Sequence, residues 1–225
     1  MSRFTLSLAL VLSLSSVASA KRMPESAFAQ PPAAAEAFAP QEMPAQIVPA
    51  VLDRAKVRAA LAKARAKNLA AFRVYQQTGV FPSNTFSDKK LNVWVDAEGH
   101  YCAAATIIKA SGQVDLVTRT GEQNNFIRLA DVQQGPLMNW ILMSGFTQDE
   151  IAAIQEPFRP VMREQPVEPI LVDAKLRKAE DKRLVAKYRA VDKMLVKNQK
   201  KSLDLATAKL MSHPQLAWQL VAANS

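Results

Sequence analysis

Apolar side chains recur every three or four residues along two long stretches of this chain, residues 49–79 and 170–201. This spacing places them on one side of an α-helix, whereas a strand would require alternation. The first stripe runs through Val57, Leu61, Ala64, Asn68, Phe72 and Tyr75, and the second through Leu176, Leu184, Tyr188, Val191 and Leu195. Because long amphipathic helices gain most of their stability by burying one face, the pattern predicts a helical bundle.

Residues 135–156 (GPLMNWILMSGFTQDEIAAIQE) predict a helical hairpin between the two long helices. Pro136 suits the start of one helix and Gly145 suits its end. Thr147 and Glu150 have the three-residue spacing of a capping box at the start of the next helix. That second helix carries three acidic residues and no basic one, which argues against a DNA-reading helix-turn-helix because phosphates would repel it.

The remaining segments complete a mainly α fold with at most one short β segment. Residues 91–95 (LNVWV) are rich in strand formers and predict a short strand or an extended segment. Four prolines lie in the connection at 157–169. The long helix at 170–201 is expected to be followed by a separate final helix from Ser202, interrupted at His213-Pro214 because proline cannot continue the hydrogen-bond ladder. We therefore expect one helical domain at 50–225, with a central module at about 80–156 and C-terminal helices at 170–225.

The first 49 residues predict an exported protein. Residues 1–20 combine Arg3, a short apolar run and the small-residue pattern Ala18-Ser19-Ala20, which is typical of a cleaved secretory signal. Residues 21–49 hold 6 of the 13 prolines and lack apolar periodicity, which predicts a disordered tether. No later segment is long and apolar enough to predict a transmembrane helix. The expected location is the periplasm or the exterior of a bacterial-type cell.

Charge is segregated along the chain. Residues 50–78 carry seven basic residues against one acidic residue, and residues 172–201 carry eleven against four, whereas residues 79–171 carry seven against eleven. Two basic helices flanking an acidic middle predict contact with an envelope protein, or with an anionic polymer or surface. The simplest alternative is a solvated face without a partner. The predicted anion-binding residues are Arg54, Arg58, Lys63, Arg65, Lys67, Lys182, Arg183, Lys187 and Lys197.

The single cysteine, Cys102, excludes an internal disulfide and lies two positions after His100. On an extended segment the two side chains would share a face, and the imidazole could activate a thiolate. The alanine-rich continuation instead indicates that Cys102 is already helical and fills a tight core contact. A thiol-based enzyme or redox protein using Cys102 with His100 therefore stays the second hypothesis, beside pairing of Cys102 with another chain. A metal site from Asp96, Glu98, His100 and Cys102 is not expected because zinc ligands usually come from two parts of a chain.

One short catalytic motif occurs in the sequence, Ser-x-x-Lys at Ser87-Asp88-Lys89-Lys90, and its expected partners Lys-Thr-Gly and Ser-Asp-Asn are absent. The sequence contains no Gly-x-Ser-x-Gly, His-Glu-x-x-His, phosphate-binding glycine loop or dinucleotide fingerprint, and only two histidines. The leading hypothesis is therefore an exported, non-enzymatic binding or structural protein without a cofactor. A third hypothesis is a carrier of a small apolar ligand, with a pocket near Trp94, Trp140 and Trp218.

Overall fold

The computed structural model describes residues 51–162 and 172–224 of the 225-residue chain. The predicted signal peptide, the tether, Pro49 and residues 163–169 of the proline-rich connection lie outside these ranges. The described residues belong to one compact unit. The described part is mainly α-helical and contains no strand, which confirms the predicted fold class. The helices are Arg54–Thr78 (α1), Ala103–Ala110 (α2), Val114–Gln123 (α3), Gly135–Met143 (α4), Gln148–Ile154 (α5), Ala174–Met211 (α6) and Pro214–Ala222 (α7), with a 3-10 turn at Leu129–Asp131.

The two long helices, α1 and α6, pack against each other through the predicted apolar faces. Helix α1 begins after Asp53, whose carboxylate accepts hydrogen bonds from the amides of Ala55 and Lys56. It ends at Gly79, which adopts the left-handed backbone conformation expected of a helix stop. A cluster of aromatic rings fills the interface near this end, formed by Phe72, Tyr75, Phe81 and Tyr188.

The predicted hairpin is confirmed as α4 and α5. The Thr147 hydroxyl accepts from the Glu150 amide, and the Glu150 carboxylate accepts from the Thr147 amide, so both halves of the capping box form. Gly145 lies in the turn with φ of 80°. A Cβ atom at this position would lie 2.3 Å from the Leu61 carbonyl oxygen of α1. Only glycine therefore lets the hairpin approach α1 this closely.

The predicted break at Ser202 is wrong, because α6 continues without interruption for 38 residues to Met211. Ser202 does not cap a new helix. Its hydroxyl donates to Glu150 Oε1 at 2.7 Å, and its side chain is buried. The predicted interruption at His213-Pro214 is confirmed, since α7 begins at Pro214.

The segment at 91–95 is extended but forms no strand. Leu91 makes an isolated antiparallel bridge with Phe158, and Val95 makes one with Tyr101. These two contacts go to different partners, so a continuous ladder does not develop. None of the helices in the described ranges combines the length and apolar character needed to cross a membrane.

Candidate functional site

Seven basic residues form one continuous line along the solvent-facing side of α6. All seven are exposed, and at about 100° per residue they fall within a sector roughly 100° wide. The line runs from Lys175 to Lys200, which is roughly 38 Å along the helix. We call it the α6 stripe, and it consists of Lys175, Lys178, Lys182, Arg189, Lys193, Lys197 and Lys200.

The α6 stripe lacks acidic partners in the part of the chain that the structure describes. None of its members forms a salt bridge with any described residue. Four acidic residues of α6 are paired with cations outside the stripe: Glu180 with Arg183, Asp181 with Arg177, Asp192 with Arg73, and Asp204 with Arg58. Asp204 lies on the same side of the helix as the stripe, four residues beyond Lys200, and its carboxylate is taken up by Arg58. The positive charge of the stripe is therefore not neutralised locally, and its field extends into solvent over about a Debye length.

Small side chains accompany the stripe on the same side of the helix. Ala179, Ala186 and Ala190 are exposed, and helical spacing places them beside the basic residues. The side chains of the stripe therefore stand next to a low, smooth surface. The alanines leave room for an extended ligand, and Val196, which is 48% exposed, lies at the edge of the same sector.

The structure separates the predicted anion-binding residues into distinct groups. Lys182 and Lys197 belong to the α6 stripe. Arg54 is exposed at the first position of α1. Three others form ion pairs: Arg58 with Asp204, Arg183 with Glu156 and Glu180, and Lys187 with Glu156.

The pKa of Arg183 is raised above the ordinary arginine range, mainly by its hydrogen bonds to Glu180. Partial burial lowers this pKa, and the hydrogen bond to Glu156 raises it further. The charges of Arg58, Arg183 and Lys187 are partly balanced by the carboxylates that they bind, so these residues add less to the surface field than the stripe does.

Arg65 does not lie on the surface, although the sequence groups it with the exposed cations of α1. Its side chain is only 2% exposed. The guanidinium binds both carboxylate oxygens of Glu150, at 2.7 and 2.8 Å, and the carbonyl oxygens of Gly145 and Leu195. It also lies over the ring of Phe146, 4.7 Å from the centroid. Arg65 thus joins α1, the hairpin and α6, and cannot contact an external anion.

Lys63 and Lys67 line a cavity of about 530 Å³ where three helices end. The C-terminal residues Ser111 of α2, Ser144 of α4 and Ala223 of α7 all line it. Helix C-termini carry partial negative charge, which attracts cations. The Lys63 ammonium donates to the Asn224 carbonyl oxygen at 2.9 Å. The helix ends therefore attract the two ammonium groups, which makes Lys63 and Lys67 less available to bind an anion.

Cys102 and His100 form hydrogen bonds to different groups. Cys102 is the N-cap of α2 rather than a helical residue, so the helical placement expected from the sequence is wrong. A hydrogen bond from its amide to the Trp94 carbonyl oxygen holds it in extended conformation. Its sulfur accepts from the Ala105 amide at 3.4 Å, whereas His100 Nδ1 lies 3.1 Å from Asp96 Oδ2.

The Cys102 thiol is buried, and burial raises its pKa from 9.0 to about 12, outweighing the opposing hydrogen bonds of the helix N-terminus. A thiol with this pKa is protonated at neutral pH and is a poor nucleophile. The geometry therefore favours the core-packing interpretation of Cys102 over the reactive-pair hypothesis.

Asp96, Glu98 and His100 bring possible metal-ligand atoms within 4.8 Å of one another. Asp96 is already engaged, because Oδ1 accepts from the His100 amide and Oδ2 from the Ser83 amide, in addition to the contact with Nδ1. A cation at Asp96 would compete with these bonds. Cys102 is not part of the group. The hydrogen bonds between Asp96 and His100 close a turn of the backbone, and this turn accounts for the closeness of the three side chains.

The three tryptophans do not define a shared pocket. Trp94 is buried, and its Nε1 donates to the Val117 carbonyl oxygen. Trp140 is also buried, and its Nε1 donates to Ser111 Oγ. Trp140 borders the cavity beside Lys63, whereas neither Trp94 nor Trp218 does. A ligand site built from all three rings is therefore not supported.

Comparison with known proteins does not identify a relative: no family, no curated protein and no solved structure matches this chain. The candidate site consequently rests on the geometry alone. The predicted anion-binding set contains Lys182 and Lys197 but not the other five members of the stripe. The missed signal was their shared helical spacing, which lies entirely within the helix predicted at 170–201.

Proposed function

We propose that this protein is exported and non-enzymatic, and that it binds a linear anionic polymer along the α6 stripe. The observation that carries the proposal is the line of seven exposed cations without an acidic partner among the described residues. A polymer with regularly repeated carboxylate, sulfate or phosphate groups complements such a line. Its binding would release counterions from the polymer, so affinity would fall steeply with salt concentration.

A linear polymer fits this surface better than a compact anionic ligand does. The cationic groups are distributed along roughly 38 Å of helix, so a small ligand can contact only two or three of them. The adjacent alanines leave room for a chain to lie parallel to the helix. Contact with an acidic face of an envelope protein is the competing possibility, and it would require a matching line of carboxylates.

The proposal is tested with heparin as a probe polymer, because it is linear and densely anionic. The association constant K for heparin is measured by titration calorimetry at salt concentrations from about 50 to about 300 mM NaCl, and log K is plotted against the logarithm of the salt concentration. The test variant replaces Lys182, Lys193 and Lys197 with Gln. Each lost phosphate-type contact reduces the slope by roughly 0.7–0.9, so the triple variant should lose about two units of slope.

A matched control removes the same number of charges elsewhere. It replaces Lys56, Lys89 and Lys90 with Gln, because all three are exposed and lie outside the stripe. We expect this control to retain the slope of the parent protein within about half a unit. Equal losses in the two variants would mean that heparin responds to net charge alone, and the proposed site would be wrong.

Export is tested separately by sequencing the N-terminus of the protein recovered after expression in a bacterial host. The signal pattern at 1–20 predicts a mature chain that starts near Lys21 and leaves the cytoplasm. A full-length chain that stays in the cytoplasm would contradict export without affecting the binding proposal.

A further inference from the structure

A groove of about 830 Å³ opens between α3, the 3-10 turn and the beginning of α4. A volume of this size is typical of sites that bury a small molecule. The groove is independent of the α6 stripe, because none of its lining residues belongs to α6. It has no role in the proposed polymer binding.

An apolar strip lies within the groove, beside the neutral polar side chains of Thr120, Gln123, Asn124, Gln133 and Gln134. Leu116 and Leu137 are nearly buried, and Ile127 and Val132 are partly exposed. Phe126 stands at the rim, 41% exposed. Contiguous apolar side chains that remain accessible in a folded domain commonly mark a binding surface.

The aromatic rim extends beyond the groove itself. The Phe126 ring packs edge-on against the ring of Phe86, with centroids 5.3 Å apart. Phe86 is itself 46% exposed, so each ring shields only part of the other from solvent. The two rings provide a rigid apolar edge against which a flexible chain could lie.

The polar groups of the groove favour an anion. Arg119 and Arg128 line it, and the single carboxylate is that of Asp131, which lies 3.5 Å from Arg128. Arg119 forms no ion pair within the part of the chain that the structure describes. One guanidinium is therefore available for a ligand carboxylate, and arginine can bind a carboxylate through two parallel hydrogen bonds.

The start of α4 reinforces this preference. Its N-cap, Gln134, makes no side-chain cap hydrogen bond, and both Gln134 and Pro136 line the groove. The first turn of a helix carries unsatisfied amides and partial positive charge. The anionic end of a ligand bound beside Arg119 would therefore lie in a region of positive potential.

We propose that this groove binds a single-chain amphiphile, with the hydrocarbon chain along Leu116 and Leu137 and the anionic head group at Arg119. The combination of an apolar lining with a few convergent polar groups is the usual composition of a small-molecule site. An extended peptide would bond to the neutral polar side chains of the groove, whereas the apolar strip beside Arg119 complements a hydrocarbon chain with one anionic end.

Dodecanoate, dodecanol and dodecyl sulfate serve as probes, each titrated below its critical micelle concentration into the full-length protein by calorimetry. We expect dodecanoate to bind saturably at one site. Dodecanol should bind about tenfold more weakly, because it lacks the charge-assisted hydrogen bond to Arg119. Dodecyl sulfate distinguishes a general preference for anionic head groups from a specific preference for carboxylate.

Two variants locate the site. Arg119→Gln should weaken dodecanoate about tenfold while leaving dodecanol unchanged. Val132→Trp should abolish binding of both by filling the groove. The matched controls are Arg159→Gln and Val196→Trp, which make the same exchanges at exposed positions outside the groove and the α6 stripe, and both should bind dodecanoate like the parent protein.

The proposal is overturned by any of four results: no saturable binding of dodecanoate, equal binding of dodecanoate and dodecanol, unchanged dodecanoate binding in Arg119→Gln, or loss of binding in the control variants. Because Arg119 is exposed, its replacement should leave the fold intact. The Arg119 result therefore decides the matter even if the bulkier Val132 variant fails to fold.

Discussion

Replacing Arg65 with Met tests whether a single buried cation holds the bundle together. The Arg65 guanidinium supplies two bonds to the Glu150 carboxylate and one each to the carbonyl oxygens of Gly145 and Leu195. Methionine keeps much of the side-chain volume but makes none of these bonds. Glu150 would remain buried, with bonds only from the Thr147 amide and the Ser202 hydroxyl.

Removing one partner of a buried ion pair typically costs 3–5 kcal/mol, because the remaining charge is desolvated without compensation. We therefore expect Arg65→Met to lower the free energy of unfolding by about 4 kcal/mol. That loss is a large part of the roughly 5–15 kcal/mol that stabilises a typical domain. The double variant Arg65→Met/Glu150→Leu should be more stable than Arg65→Met alone, because it buries no unpaired carboxylate.

Urea unfolding followed by far-UV circular dichroism measures these differences, provided that the slope against urea stays the same among variants. The control is Arg189→Met, which makes the same exchange at an exposed position without a salt bridge to any described residue. It should change stability by less than about 0.5 kcal/mol. A loss below about 1 kcal/mol for Arg65→Met would refute the assignment of this ion pair as a major stabilising contact.

Three further changes probe the packing by the same unfolding assay. Gly145→Ala should cost about 3 kcal/mol, because the new Cβ would lie 2.3 Å from the Leu61 carbonyl oxygen. Gly112→Ala, which also has positive φ but open space around it, should cost only about 1 kcal/mol, and equal costs would contradict the steric argument. Tyr188→Phe should lower the free energy of unfolding by no more than about 1 kcal/mol, because its buried hydroxyl has only a weak contact with the hydroxyl of Tyr75; a larger loss of stability would indicate a bound partner. The pKa of Cys102 is raised from 9.0 to about 12 by folding, so unfolding releases a proton above pH 9. The stability of the parent protein relative to Cys102→Ala should therefore be constant below pH 9 and fall by roughly 1.4 kcal/mol per pH unit from there towards pH 12, and a flat difference would mean that the thiol is exposed.

The sequence determined the elements whose signals are local. The capping box of Thr147 and Glu150, the stop at Gly79 and the start of α7 at Pro214 all depend on residues within a few positions of one another. The helical period of the apolar residues likewise identified the faces of α1 and α6 that pack together. Such signals persist in any tertiary context, because backbone geometry and the satisfaction of terminal amides fix them.

Tertiary structure decided which polar residues face solvent. In the sequence Arg65 resembles Arg58 or Lys63, and only its partner Glu150, 85 positions away, reveals that it is buried. The same contact explains Ser202, whose hydroxyl binds Glu150 instead of capping a new helix. Long-range partners set the energetic cost of burying a charge or a hydroxyl, and periodicity does not contain that information.

The candidate site shows the same division. Periodicity was sufficient to place basic residues on the outer side of the second long helix. Whether each cation is free, paired or buried depended on where the fold places the carboxylates and helix ends of distant segments. Hence only the structure could show that a continuous line of unpaired cations lies along α6, while Arg58, Lys63 and Arg65 of α1 are held by contacts within the protein.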